Sequence, residues 1–186
     1  MAIEFTLKEA EDYSFKWVWK NVDEDEKHDV KAMWRQERAM PEELMDARLE
    51  ELVYIVRLKA TNEVVGVSTV FEKFNEQLES YFYYMRSFVV RSHRKNSASA
   101  NMTLNVLEGF DSRYKDGDHV IGVFLEVTNK TLNSGPNAGS WPLSDFVYIG
   151  KNEQGHHCRV RYFKNAVLFA PKPSAHGPLT SSHHRA

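Results

Sequence analysis

Apolar positions change period along this chain, and the changes mark its elements. Ile3 to Leu7 reads as a short first strand. Thr6 and Glu9 then stand at capping-box spacing, which predicts a helix through Glu11, Tyr13 and Trp17 to Asn21. The charged run Asp23–Asp29 reads as a loop or helix entry. Val30, Met33, Trp34 and Glu37 fall at helical spacing, and Pro41 opens another helical turn over Glu42–Leu49. From Leu52 the pattern turns to strand. Leu52–Ala60 and Val64–Phe71, joined by Thr61-Asn62-Glu63, predict a hairpin, and Glu79–Val90 is the longest strand candidate.

The polar loop Arg91–Ser97 leads into Ala98–Arg113, which has helical composition although Gly109 weakens its end. Lys115-Asp116-Gly117-Asp118 is a turn, and His119–Thr128 is an apolar strand. Within Val120–Thr128 the odd positions Ile121, Val123, Leu125 and Val127 form one apolar face, leaving Phe124 and Glu126 on the other. Asn133–Pro142 reads as loop. Phe146–Gly150 and His156–Phe163 flank Lys151–Gly155 as a terminal hairpin. The order β, α, α, β, β, β, α, β, loop, β, β predicts one α/β domain over residues 1–170, a mixed sheet covered on both faces. Residues 171–186 read as a disordered tail.

Composition narrows the class. Hydrophobic residues make up 42% of 186, with 11 Phe, 8 Tyr and 4 Trp, enough for one sizeable core. A net charge of −2 gives no global pull toward nucleic acid or an anionic membrane, and neither is expected as a partner. Charge is uneven, however. Residues 1–50 hold 14 acids against 8 basic residues, whereas 86–95 holds Arg86, Arg91, Arg94 and Lys95 with no acid. A short basic loop in a neutral chain points to a small anionic ligand. The single cysteine, Cys158, rules out an internal disulfide. No secretory pattern is visible and no apolar run approaches the roughly 18–20 residues that cross a bilayer, so the expectation is cytoplasmic. His156-His157-Cys158 has metal-ligand residue types, but neighbours on a strand point to opposite faces, and no metal is expected.

The informative unit is Tyr81–Leu107: a strand, a basic loop, then a helix N-terminus, where unpaired amides and the helix dipole favour an anion. The run Arg94-Lys95-Asn96-Ser97-Ala98-Ser99, preceded by Phe88-Val89-Val90, resembles the GNAT acyltransferase family, whose signature after the fourth strand is Arg/Gln-x-x-Gly-x-Gly/Ala. The resemblance extends over about Ile3–Phe163 in element order, and reaches motif level in this loop. It implies six to seven mostly antiparallel strands flanked by about four helices. It also implies acetyl-CoA as co-substrate, its pyrophosphate gripped at Arg94–Ser99. Ser97 and Ser99 stand where the family has glycine; serine is small and its hydroxyl can donate to phosphate.

Acyl transfer to an amine needs a base, an oxyanion donor and an acid for the thiolate. An amide near Phe88–Val90 is the expected oxyanion donor. Glu126, near the C-terminal end of its strand, is the base candidate, with Glu79 and Tyr83 as a second set. Asn129 matches the asparagine the family places after its fifth strand. Tyr148 is the nearest match to the tyrosine that protonates the thiolate. The resemblance therefore implies acetyl transfer to a primary amine of a small molecule or protein. The acidic first fifty residues hint at a cationic acceptor, and a homodimer is compatible with the sequence. The replaced glycines also admit an alternative: a non-catalytic GNAT-like interaction module that has lost CoA binding.

Overall fold

In the computed structural model, which describes residues 11–94, 98–133 and 137–168, the chain runs β1 (Tyr13–Trp17), α1 (Glu24–Glu37), α2 (Met45–Leu49), β2 (Leu52–Leu58), β3 (Val64–Asn75), β4 (Ser80–Val89), α3 (Ala98–Asp111), β5 (Val120–Val127), α4 (Lys130–Asn133), β6 (Ser140–Trp141), β7 (Phe146–Lys151) and β8 (His157–Tyr162). The strands form one sheet in the order β1-β2-β3-β4-β5-β8-β7-β6. Every neighbouring pair is antiparallel except β4 and β5. The expected strand Ile3–Leu7 and the tail from residue 171 lie outside the described residues.

One early element is corrected. Residues 13–17, expected in a helix, form β1: Tyr13 is buried, Phe15 and Trp17 are half-buried, and Ser14 and Lys16 are exposed. That alternation has period 2, and the helical spacing of Tyr13 and Trp17 was coincident with it. The first helix starts instead at Asp23. Its carboxylate accepts from the Glu26 N–H at 2.8 Å while the Glu26 carboxylate accepts from the Asp23 N–H at 3.2 Å, a complete capping box. With β1 and the two-residue β6 the sheet has eight strands among the described residues, beyond the six to seven expected.

Helices cover both faces. On one, Val30, Met33 and Trp34 of α1 and Met45 and Leu49 of α2 pack on Leu52, Ile55 and Val67, with Phe88 at the margin. On the other, Met102 of α3 lies with Val56, Val65 and Val89, and Val106, Leu107 and Phe110 lie with Val53, Val70, Met85 and Val123. Gly109 has a packing reason here. A Cβ at that position would sit 2.2 Å from the Trp17 ring, so the residue that weakens the helix is the one that lets the indole approach it.

Strand β5 carries a bulge. Tyr81 pairs with Val120 and Tyr83 with Val123, so two residues of β4 face three of β5. The expected odd-numbered face therefore splits. Val120 and Val123 pack toward α3, whereas Ile121 joins Phe124, Phe82 and Tyr84 on the face of α1 and α2. Glu126 keeps the side of Phe124, as the alternation beyond the bulge requires. Gly122, at the bulge, allows close strand approach: a Cβ would lie 2.5 Å from the Arg161 carbonyl oxygen. Among the described residues no helix is long and apolar enough to cross a membrane.

Candidate functional site

The parallel pair opens. Its ladder ends at Tyr84 opposite Phe124; β4 continues along β3 to Val89 while β5 continues along β8 to Val127. The two strands thus diverge at their C-terminal halves and leave a gap through the sheet. The Val90 N–H donates to the Val65 carbonyl at 2.9 Å. Antiparallel alternation then turns the peptide groups of Arg86 and Phe88 to β3 and those of Ser87 and Val89 into the gap, while the Met85 N–H closes the last pair, Tyr84 with Phe124.

The turn after β4 is tied down by side chains. His93 Nδ1 and the Tyr13 hydroxyl are 2.8 Å apart, and the Glu37 carboxylate accepts from the Arg91 N–H at 3.3 Å. Arg94 Nε donates to the Val89 carbonyl at 2.8 Å, its guanidinium 5.5 Å from the Phe88 ring centre. None of Arg91–Arg94 takes a positive φ. Lys95, Asn96 and Ser97 lie outside the described residues. Beyond them Ala98 is buried against the sheet, and Ser99 is exposed inside the first turn of α3. Ser99 is helical, so serine replaces glycine there without backbone strain. The amides of that first turn have no acceptor within the helix, and the dipole adds partial positive charge.

On the α1 and α2 face, Glu126 and Arg86 stand on either side of the gap, each two residues beyond the last ladder pair. Glu126 is exposed and has no ion pair among the described residues. Arg86 lies 4.0 Å above the Phe71 ring and donates through Nη1 to Glu51 at 2.9 Å; Arg48 meets the same Glu51 oxygen at 3.1 Å. Burial lowers the Arg86 pKa from its ordinary value, the neighbouring Arg48 adds to this, and Glu51 and Glu126 oppose it. Cys158, the cross-strand partner of Glu126, is buried; desolvation pushes its thiol up and the Glu126 charge adds to it, so it is no ready nucleophile. Burial likewise raises the Tyr84 phenol, whose oxygen accepts from Asn75 at 2.9 Å. Sequence reasoning counted Arg86 in the basic run but missed its partner Glu51, which is 35 positions away and carries no local signal.

The remaining candidates disperse. Glu79 has φ 48° in the turn before β4. It stands at the far end of that strand, roughly 20 Å from the gap at strand rise. Tyr83 faces α3, stacked on Phe110 at 4.6 Å. Asn129 is exposed, and its carbonyl accepts from the N–H groups of Leu132 and Asn133 to start α4. Tyr148 pairs with Arg159, and its ring lies 5.0 Å from that of His157. It therefore shares the α3 face, opposite Glu126, and sits two strands beyond β5, roughly 10 Å at sheet spacing. The structure thus joins Arg94 to Phe88 and Val89, and sets Glu126 opposite Arg86. It does not bring Glu79 or Tyr148 to Glu126. No group of metal-ligating side chains occurs among the described residues.

No family model matches the sequence, and no curated protein matches it. The fold does have solved counterparts. It is similar to the ribosomal-protein-S5-alanine acetyltransferase of Vibrio fischeri, with TM-score 0.57 and 6% identity over 84% of this chain and 96% of that one. A GNAT-family acetyltransferase of Streptococcus pneumoniae gives TM-score 0.55 and 8% identity, over 82% of this chain and 99% of that one. The toxin AtaT matches as AtaTR bound with AcCoA (0.52, 15%, over 82% and 94%) and complexed with acetyl-methionyl-tRNAfMet (0.52, 14%, over 81% and 95%). The chain has the GNAT fold.

Proposed function

We propose that the protein transfers an acetyl group from acetyl-CoA to a primary amine of a small molecule or protein. The observation that carries this reading is the gap between β4 and β5, with the peptide groups of Ser87 and Val89 turned into it and the first turn of α3 following it. An open strand edge needs hydrogen-bond partners, and the amide-bearing pantetheine arm of CoA can supply them. The diphosphate would meet Arg94, Lys95, Asn96, Ser97, Ala98 and Ser99, with Phe88 and Val90 walling the strand end and Asn129 across the gap. When bound, acetyl-CoA supplies a thioester whose carbonyl carbon forms the C–N bond as its C–S bond breaks. The Val90 N–H is already engaged by Val65, so the oxyanion donor is the Val89 or Ser87 N–H. Glu126 takes the proton the amine loses. Tyr148, two strands away, reaches the leaving thiolate only through intervening water.

Thermal unfolding with acetyl-CoA, followed by thiol release with an amine panel, tests this. At about a hundredfold excess over Kd the ligand stabilises by about 2.7 kcal/mol. Glu126→Gln is expected to lower turnover by at least about 10²-fold with acetyl-CoA affinity retained. No thermal shift and no detectable binding would overturn the reading. Because one structural neighbour is complexed with acetyl-methionyl-tRNAfMet, the panel includes aminoacyl-tRNA beside free amines and peptides. A second reading, a non-catalytic interaction module, draws on Arg94 being held by the Val89 carbonyl and on Glu126 and Tyr148 facing opposite ways. It predicts the opposite result: no acetyl-CoA bound.

A further inference from the structure

The acidic bias of residues 1–50 points to a cationic acceptor, but five of those carboxylates are engaged elsewhere. Glu26 pairs with Lys16, Glu24 with Lys27, Asp46 with Lys31, Glu42 with Arg35 and Asp29 with Arg57. The charge that faces the mouth of the gap is different. Arg86 is gripped from two sides, by the Phe71 ring below at 4.0 Å and by Glu51 at Nη1. A guanidinium has five N–H donors in a rigid fork, and only the bond to Glu51 engages this one among the described residues. Its side chain is 41% exposed, so the remaining donors are reachable. A stacked, oriented guanidinium with free donors is the arrangement that recognises a carboxylate or phosphate. Lys73, exposed and 5.1 Å above the Tyr84 ring, adds positive charge on the same face. Across the gap Glu126 offers the complementary charge for an ammonium.

Resting on the acyl-transfer reading, we propose that the acceptor bears an oxyanion beside its amine: the fork of Arg86 binds the carboxylate or phosphate and sets the nitrogen at Glu126. Position explains the pairing. Tyr84 and Phe124 are the last ladder partners, so Arg86 and Glu126 are the first residues of that face to stand apart, one on each lip. A ligand that bridges them spans the gap where the thioester would emerge. Lone amines would satisfy Glu126 and leave Arg86 unused.

Matched probes decide it. L-phenylalanine, L-phenylalaninamide and phenethylamine share a skeleton and differ in the anion; O-phosphoethanolamine against ethanolamine is the phosphate arm. Calorimetric titration, with and without acetyl-CoA, should show an anionic member binding about tenfold more tightly than its neutral partners. Arg86→Met should abolish that preference while acetyl-CoA affinity stays, and the arm that responds identifies the anion. Should Arg86→Met fail to fold, Arg86→Lys, which keeps charge without the fork, should weaken the preference. Equal affinities within each set, a preference that survives both substitutions, or no measurable binding by either anionic probe would overturn the proposal. If acetyl-CoA alone does not bind, the acyl-transfer reading fails, and the probe titrations still decide the role of Arg86.

Discussion

Asp111 and Arg161 join α3 to β8 fork to fork, at 2.7 and 2.6 Å, both about nine-tenths buried. The Lys164 N–H donates to the same carboxylate at 2.9 Å. Burial alone would raise the Asp111 pKa, but the Arg161 hydrogen bond and the Lys164 amide outweigh it and hold the carboxyl below its ordinary value. A carboxyl depressed in the folded state contributes stability above its unfolded pKa, about 3.9, and that contribution is lost as pH falls through the folded value. Asp111→Ala strands a buried guanidinium and is expected to cost about 3–5 kcal/mol at pH 7 by urea unfolding. The difference from the parent should shrink steadily toward pH 2. A pH-independent difference would show that packing, not charge, holds the pair. Such pairs are opaque in sequence. Arg161 and Asp111 are 50 positions apart, and each looks like an ordinary surface charge. Glu126, by contrast, was placed on its face correctly because alternation is a local property.

At the scale of elements, the central hairpins and α3 were legible because apolar period and turn residues agree there. β1 was not. Tyr13 and Trp17 are four apart, which suits a helix, and also two strand repeats apart, which suits an inward face; only the exposed Ser14 and Lys16 separate the two. The β5 bulge was equally hidden, since it arises from pairing with β4 and from Gly122 rather than from any local pattern. Gly109 and Trp17 make the element-scale argument testable. Gly109→Ala improves helix propensity by about 1 kcal/mol. Its methyl, however, would lie within 3 Å of three indole carbons. Over-packing of that kind typically costs about 1–3 kcal/mol. The single variant should therefore be less stable than the parent, and combining it with Trp17→Leu should recover part of the loss. Thermal unfolding of the four proteins in a double-mutant cycle measures the coupling, and additive effects would mean that the ring simply moves aside.

For the whole molecule, the decisive property is that one sheet is continuous on β3 and on β8 but parted between them. Parting leaves β4 with two unlike edges. Alternation binds the N–H groups of Arg86, Phe88 and Val90 to β3 and turns those of Ser87 and Val89 toward the gap. Amide hydrogen exchange reads this residue by residue, because a bonded core amide opens only with its strand whereas an unpaired one exchanges through local fluctuation. The free protein should show alternating protection along residues 86–90, with 87 and 89 the faster pair. The alternation should end at Met85, whose N–H closes the ladder to β5. Saturating acetyl-CoA should slow residues 87 and 89 selectively, since its amides would take the place of the missing strand. If all five amides are equally protected without ligand, the gap is closed in solution and the donor has no seat. If the alternation is present but acetyl-CoA leaves it unchanged, the parted sheet is a feature of the fold that this chain does not use for CoA.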